Sequence, residues 1–258
     1  MLKLRWLGTA AFEVYLKRTV ILIDPYLSRS VQARPTLTLC PAEVTRANFV
    51  FLTHGHFDHA LDTPLIVRQT GAMVYASAPV CDVLRRQGVP DTQLRPLAAG
   101  DEVCTPGFTV RAIASLHVRF DWALIVRTLL KAGPRISASL RLLRDYPQGD
   151  VLGYLFTLVN GFTFCHFGSA GYYPEQIRNL CPDLALIPVA GHSDIGRIAA
   201  EMTALIRPKL VIPHHHDDFY PPISHKIPLQ PFYAWLRTLS PEVQVRELAV
   251  GETWEAAA

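Results

Sequence analysis

The chain has 258 residues, half of them hydrophobic, and carries 25 lysines and arginines against 22 aspartates and glutamates, a formal net charge of +3. That length supports one large core and no low-complexity linker divides it, so a single domain over 1–258 is expected; with no lysine- or arginine-rich arm, no nucleic-acid partner is expected. Five scattered cysteines without a CxxC pair exclude a disulfide scaffold, and no apolar run approaches the roughly 20 residues of a membrane span. The N-terminus runs straight into strand-like sequence without a signal-peptide core, so the expectation is a soluble cytoplasmic protein.

Leu2 to Leu7, Phe12 to Leu16 and Val20 to Ile23 read as short strands separated by Gly8-Thr9-Ala10 and by the Lys17-Arg18 turn. The third ends at Asp24-Pro25, where a carboxylate is either a plain strand terminator or a group that orients a ligand histidine. Phe49-Val50-Phe51-Leu52 is a buried strand that delivers Thr53-His54-Gly55-His56-Phe57-Asp58-His59. In extended chain His54 and His56 point the same way, and a turn brings Asp58 and His59 round beside them. Three imidazoles and a carboxylate within the six residues from His54 to His59 make a poor core, because each buried polar group needs a partner. A metal ion supplies that partner, and the donor set suits zinc and its neighbours.

A helix over Thr63 to Thr70, closed by Gly71, leads to a strand over Met73 to Ala76 and a helix over Pro79 to Gln87, closed by Gly88. Strands near Gln93 to Leu97, Glu102 to Cys104 and Phe108 to Ala114 follow, the last stopping at Ser115-Leu116-His117. Residues 119–150 differ in character. Trp122, Ile125, Val126, Leu129 and Leu130 form one helical stripe, Gly133-Pro134 ends it, and Ile136, Leu140 and Leu143 continue a second, so a helical hairpin is expected. Its six basic residues against three acidic ones give it a net +3, the charge of the whole chain. Such a segment is a packed decoration with a solvated basic face, a lid, or a surface for lipid or a partner subunit.

Leu152 to Val159 and Phe162 to Cys165 flank Asn160-Gly161, a hairpin signal, and lead into His166-Phe167-Gly168-Ser169. A helix (Pro174 to Asn179), a strand (Leu184 to Pro188), a helix (Ile195 to Ile206) and a strand (Leu210 to Ile212) then alternate. The last delivers Pro213-His214-His215-His216-Asp217-Asp218. A helix near Phe232 to Leu239 and a strand near Val243 to Leu248 close the chain.

In their order, His54-Gly55-His56-Phe57-Asp58-His59, His117, His166-Phe167-Gly168-Ser169 and Pro213-His214-His215 resemble the metallo-β-lactamase superfamily. Trp6-Leu7-Gly8-Thr9-Ala10 and Leu22-Ile23-Asp24-Pro25 point to the branch similar to ascorbate-6-phosphate lactonase and related zinc-dependent hydrolases. The resemblance covers nearly the whole chain except 119–150. It implies an α/β (α+β) fold, a four-layer αββα sandwich with two metal sites at one edge of the paired sheets. Carried over residue by residue, His54, His56 and His117 resemble the ligands of the first site, and Asp58, His59 and His215 those of the second. His215 is chosen over His214 and His216 because the family places its last ligand two residues after the proline. Asp24 resembles the supporting acid.

The implied activity is that of a metal-dependent hydrolase, turning a metal-activated water on an ester, lactone or phosphoester bond of a small molecule, lipid-like if the insertion caps it. The cofactor is Zn2+, with Mn2+ or iron as alternatives, in one or two ions. Asp58 is both a second-site ligand and, with that site empty, the catalytic base. His166, His192 and His216 are the candidate proton donors to a leaving group. Where relatives carry a bridging aspartate this chain has Ser169, which weakens the second site and leaves a degenerate, non-catalytic binding protein as the alternative. Asp217 or Asp218 would supply the missing charge if its side chain reached, and the insertion would join two subunits if the chain forms a homo-oligomer.

Overall fold

Short runs of β-branched and aromatic residues, broken by turns that glycine and proline allow, build two facing sheets in this computed structural model, which describes residues 2–132, 142 and 144–256. The first sheet contains β1 (Leu2–Trp6), β2 (Phe12–Leu16), β3 (Thr19–Ile23), β4 (Phe49–Phe51), β5 (Met73–Ala76) and β6 (Leu94–Pro96). The second contains β7 (Glu102–Cys104), β8 (Phe108–Leu116), β9 (Leu152–Leu158), β10 (Thr163–Phe167), β11 (Gly171–Tyr172), β12 (Leu184–Pro188), β13 (Leu210–His214) and β14 (Gln244–Val245). The last strand, β15 (Thr253–Glu255), returns to the first sheet and pairs antiparallel with β1. The orders are β15-β1-β2-β3-β4-β5-β6 and β11-β8-β9-β10-β12-β13-β14, with β7 beside β8.

Helices bounded among the described residues include α1 (Phe57–Ala60), α2 (Thr63–Thr70), α3 (Ala78–Arg86), α4 (Trp122–Ala132), α5 (Pro174–Ile177), α6 (Ile195–Ile206) and α7 (Gln230–Leu239). Three apolar clusters separate the layers. Leu4, Trp6, Phe12, Phe51, Phe156 and Phe164 fill the space between the sheets. Leu22, Val50, Ile66, Val67 and Leu84 join the outer face of the first sheet to α2 and α3. Ile187, Ala199, Met202, Phe232 and Leu236 join the second sheet to α6 and α7. The result is a helix–sheet–sheet–helix sandwich, the four-layer αββα architecture that the resemblance implies. Strands buried on both sides, such as the all-buried Leu184–Pro188, read as continuous apolar runs for this reason.

Topology decides where the site lies. β3, β4 and β5 are parallel neighbours, as are β10, β12 and β13, so their carboxyl ends open on one edge of the sandwich. β8 is antiparallel to β9, which is antiparallel to β10, so β8 also ends there. Asp24, His54, His117, Ser169 and His215 all follow those ends, where ligands bind in open α/β sheets.

Elsewhere the structure refines the sequence reading. α2 stops where expected, with Gly71 in the left-handed region at φ +72°. The turn expected after His56 is a one-turn helix, α1. The closing strand near Val243 shrinks to two residues, and β15 was not expected, because three residues that pair with the other end of the chain carry no periodic signal. α4 is where its stripe predicts; Ile136, Leu140 and Leu143, the proposed second stripe, lie outside the described residues.

Phe156 stacks on Phe164 at 4.4 Å between ring centres and meets Phe51 edge-on at 5.3 Å. Truncating Phe156 to alanine leaves a cavity between the sheets and is expected to cost about 3–5 kcal/mol. Urea denaturation monitored by circular dichroism checks this, with the wild-type slope retained.

Candidate metal centre

Six side chains converge at the sandwich edge in two groups of three, His54 with His56 and His117, and Asp58 with His59 and His215. Within each group one ligand atom per residue lies within 4.8 Å of the others. His54 and His56 come from the loop after β4, and α1 turns Asp58 and His59 back beside them. His117 follows β8 and His215 follows β13, where its backbone takes φ +63°, a left-handed conformation uncommon outside glycine.

The ring centres of His54, His56 and His117 are 4.7 to 5.3 Å apart. Three rings that each aim one nitrogen at a tetrahedral ion with bonds of about 2.0–2.1 Å would stand roughly 5 Å apart. In the other group, His59 Nε2 and His215 Nε2 lie 3.8 and 3.5 Å from Asp58 Oδ2. His54 and His59 have ring centres only 3.9 Å apart, so the groups are adjacent.

Hydrogen bonds fix which nitrogen His54 and His117 offer. Thr53 donates its hydroxyl proton to Asp24 Oδ2 at 2.6 Å and its N–H to Asp24 Oδ1 at 2.7 Å. Its oxygen therefore accepts from His54 Nδ1, 3.1 Å away, and leaves the lone pair of His54 on Nε2, which is buried without a protein partner. His117 Nδ1 donates to the carbonyl of Val118 at 2.8 Å, turning its Nε2 to the site. His59 Nδ1 lies 2.9 Å from Asp24 Oδ2, and its Nε2 faces Asp58. Unpartnered, converging imidazole nitrogens beside a carboxylate are a donor set that fits a zinc-like divalent ion.

Charge follows the same division. Burial holds the His54 imidazole well below its usual range, pushes His56 down to about 4 and lowers His117, so all three are neutral donors at neutral pH. Burial would lower His59 too, but the carboxylates of Asp24 and Asp58 outweigh it and raise its pKa. Burial opposes ionisation of Asp24 and Asp58, and their histidine neighbours hold both carboxyls below the carboxylate range.

Several sequence readings change here. Asp24 is no mere strand terminator: fully buried at φ +45°, it binds Thr53, His59 and His166 together. His166 is spent on this contact, with Nε2 3.3 Å from Asp24 Oδ2, and His216 is buried against Trp6, so neither is placed to protonate a leaving group. His192 lies 3.3 Å from Asp121 at the foot of α4. His214 stacks inside on His166, leaving His215 as the member of the triplet that joins Asp58 and His59.

Neither Asp217 nor Asp218 supplies the extra carboxylate that the resemblance led us to look for beside Ser169. Asp217 forms a buried ion pair with Arg29 and accepts the Thr9 N–H at 2.9 Å, and Asp218 accepts from the Ser224 hydroxyl at 2.5 Å. Asp217 serves His215 indirectly: it fixes the left-handed turn at Thr9, φ +51°, whose carbonyl accepts the His215 N–H at 2.9 Å. Ser169 uses its oxygen to accept the Val118 N–H at 2.9 Å, fastening the loop that carries His117.

A model of the beta-lactamase superfamily domain matches residues 19–216. A UPF0173 metal-dependent hydrolase of Cupriavidus taiwanensis is 30% identical over 219 residues, covering 82% of this chain and 73% of that protein. The chain belongs to the metal-dependent hydrolases of the beta-lactamase superfamily. Membership extends to full length: a UPF0173 metal-dependent hydrolase of Methanopyrus kandleri is 28% identical over 258 residues, covering 98% of this chain and all of its own. Among solved structures, Igni18, a metallo hydrolase from Ignicoccus hospitalis, matches the fold with a TM-score of 0.72 at 22% identity, covering 99% of each chain. In this superfamily member Thr53 is the residue that sequence reasoning missed; its one signal was its place directly before His54.

A Cβ at Gly168 would overlap Thr53 Oγ1 and Asp24 Oδ2, so only glycine lets the β10 loop approach that pair. Thr53→Val keeps the shape of Thr53 but removes the hydroxyl that joins Asp24 to His54. It is expected to cost about 1–3 kcal/mol of stability and to weaken metal binding about 10–100-fold. Denaturation and chelator competition measure the two effects.

Proposed function

We propose that the chain hydrolyses an ester, lactone or phosphoester bond of a small molecule, with His54, His56 and His117 holding one metal ion and Asp58, His59 and His215 a second. The observation that carries the reading is the convergence of these six residues in two adjacent groups, each with its ligand atoms within 4.8 Å of one another and with His54 Nε2 buried without a protein partner. When bound, a divalent ion supplies Lewis acidity and lowers the pKa of a water from about 15.7 to about 7.

The protein's own groups do the rest. Asp24 and Thr53 hold His54 in one tautomer, and Asp24 lies 2.9 Å from His59 Nδ1, so both rings are oriented before anything binds. Asp58 would help hold a second ion if both groups were filled, and with the first group alone filled its carboxylate would be the group placed to accept a proton from water. Ser169 is neutral and occupied with Val118, so the second group has Asp58 as its one carboxylate and is the weaker of the two. Zinc is the ion this donor set suits best, with manganese or iron as alternatives.

We read 1–258 as one domain and 119–150 as an insertion beside the site. Both of its ends join ligand-bearing loops: Val118 is held by Ser169, and Gly55, between His54 and His56, donates its N–H to the carbonyl of Gln148 at 2.7 Å. No described helix is long and apolar enough to cross a membrane. We read the five scattered, free cysteines as suited to a reducing, cytoplasmic setting.

His56→Ala is expected to abolish turnover of p-nitrophenyl esters or bis-p-nitrophenyl phosphate while circular dichroism stays native. Unchanged turnover contradicts the reading. If purified wild type binds metal but turns over neither probe, and Ser169→Asp does not restore turnover, the non-catalytic alternative stands.

The two groups should also differ in pH dependence. Protons compete with the second ion for His59, whose pKa the carboxylates of Asp24 and Asp58 raise, at a higher pH than they compete for the three first-group histidines, whose pKa values burial lowers. As pH falls from 8 to 6, affinity for the second ion should therefore drop more steeply, which calorimetric titration in buffers of different ionisation heat will show as the larger proton release for that ion.

A further inference from the structure

The least water-compatible surface among the described residues is the outward face of α4. Trp122 is 80% exposed, Leu130 81% and Val126 50%, and Phe120, just before the helix, is 55% exposed. The three helical residues recur at i, i+4 and i+8, so they form one stripe. The opposite side, through Leu124, Ile125 and Thr128, is half-buried. An amphipathic helix of a soluble domain normally turns its apolar stripe inward; this one presents a large part of it to solvent.

The face has a charge as well. Arg119 and Lys131 are exposed, and no described acid pairs with either. Two of the three acids of the segment are engaged: Asp121 accepts the N–H groups of Leu124 at 2.9 Å and Ser193 at 2.6 Å, and Asp145 pairs with Arg144. Asp121 thereby anchors the foot of α4 to the body, with Phe120 beside His117 at 5.4 Å between ring centres. The apolar face thus begins at the rim of the metal centre.

Two occupants fit an apolar face, and the observations separate them. A second copy of the chain would bring two segments of net +3 together across a two-fold axis. An 11-residue helix is about 16 Å long and about 10 Å wide, a footprint of about 160 Å², whereas a stable dimer buries about 800 Å² on each partner. An anionic bilayer needs neither shape complementarity nor a large footprint: tryptophan, phenylalanine and leucine enter the headgroup boundary while lysine and arginine meet lipid phosphates.

We propose that the outward face of α4 docks on an anionic lipid bilayer and so sets the mouth of the metal centre against the membrane surface. Resting on the hydrolase reading above for the chemistry, this makes the substrate an amphiphilic ester or phosphoester drawn from the bilayer rather than a solute.

The test mixes full-length protein with vesicles of phosphatidylcholine alone and of phosphatidylcholine with phosphatidylglycerol. The protein should cosediment with the anionic vesicles at least tenfold more strongly than with the neutral ones, and less at high salt. Trp122→Ser/Val126→Ser/Leu130→Ser should lose at least tenfold of that binding while keeping wild-type metal content and turnover of a water-soluble ester, and Lys131→Glu should weaken it in the same direction. Absence of cosedimentation with anionic vesicles overturns the proposal, as does a wild-type dimer by light scattering that the triple variant converts to monomer. Vesicle binding in a protein without hydrolase activity would instead uphold the docking surface and refute the hydrolase reading, so the two failures are distinct.

Discussion

One carboxylate without access to water organises this edge of the molecule. Asp24 is fully buried, and its two oxygens are shared among the Thr53 N–H, the Thr53 hydroxyl, His59 Nδ1 and His166 Nε2. An uncompensated charge in that position would cost several kcal/mol, so the four groups must stay where they are for the fold to close. The same constraint that satisfies Asp24 orients His54 through Thr53 and His59 directly, one residue from each candidate metal group. Stability and site geometry are therefore one network. Gly168 completes it by letting the second sheet's loop come within contact of the Asp24–Thr53 pair.

The network also explains how strands from both sheets contribute. The first sheet delivers Asp24, Thr53 and the His54–His59 stretch; the second delivers His117, His166, Ser169 and His215. The buried Arg29–Asp217 pair spans the same edge from the other side and holds Thr9, which in turn holds the strained backbone of His215. Removing one partner of a buried ion pair of this kind costs about 3–5 kcal/mol. Ser169 fits the arrangement in its own way: its hydroxyl is used to secure the loop after His117.

Much of this was legible in the sequence, for identifiable reasons. His54 to His59 sit close together in the chain, so spacing alone groups them. His117 and His215 are distant, and their order within a family pattern, together with their place just past apolar strands, located them. The strand and helix boundaries at Phe12–Leu16, Thr63–Thr70, Met73–Ala76, Leu184–Pro188 and Ile195–Ile206 agree with the sequence reading because each is bounded by a strong turn signal or stop. What sequence did not disclose are contacts made by single residues from irregular loops. Thr53 looks like an ordinary strand end, and Arg29 has no periodic context. Asp217 looked available to the metals until its partner, 188 residues earlier in the chain, was in view.

Anomalous diffraction at the absorption edge of the ion carried by the purified protein tests the account most directly. The account predicts one peak among His54, His56 and His117, and a second, weaker one among Asp58, His59 and His215. A metal-replete crystal with no peak at the first group, or with its ion bound elsewhere in the chain, would contradict it.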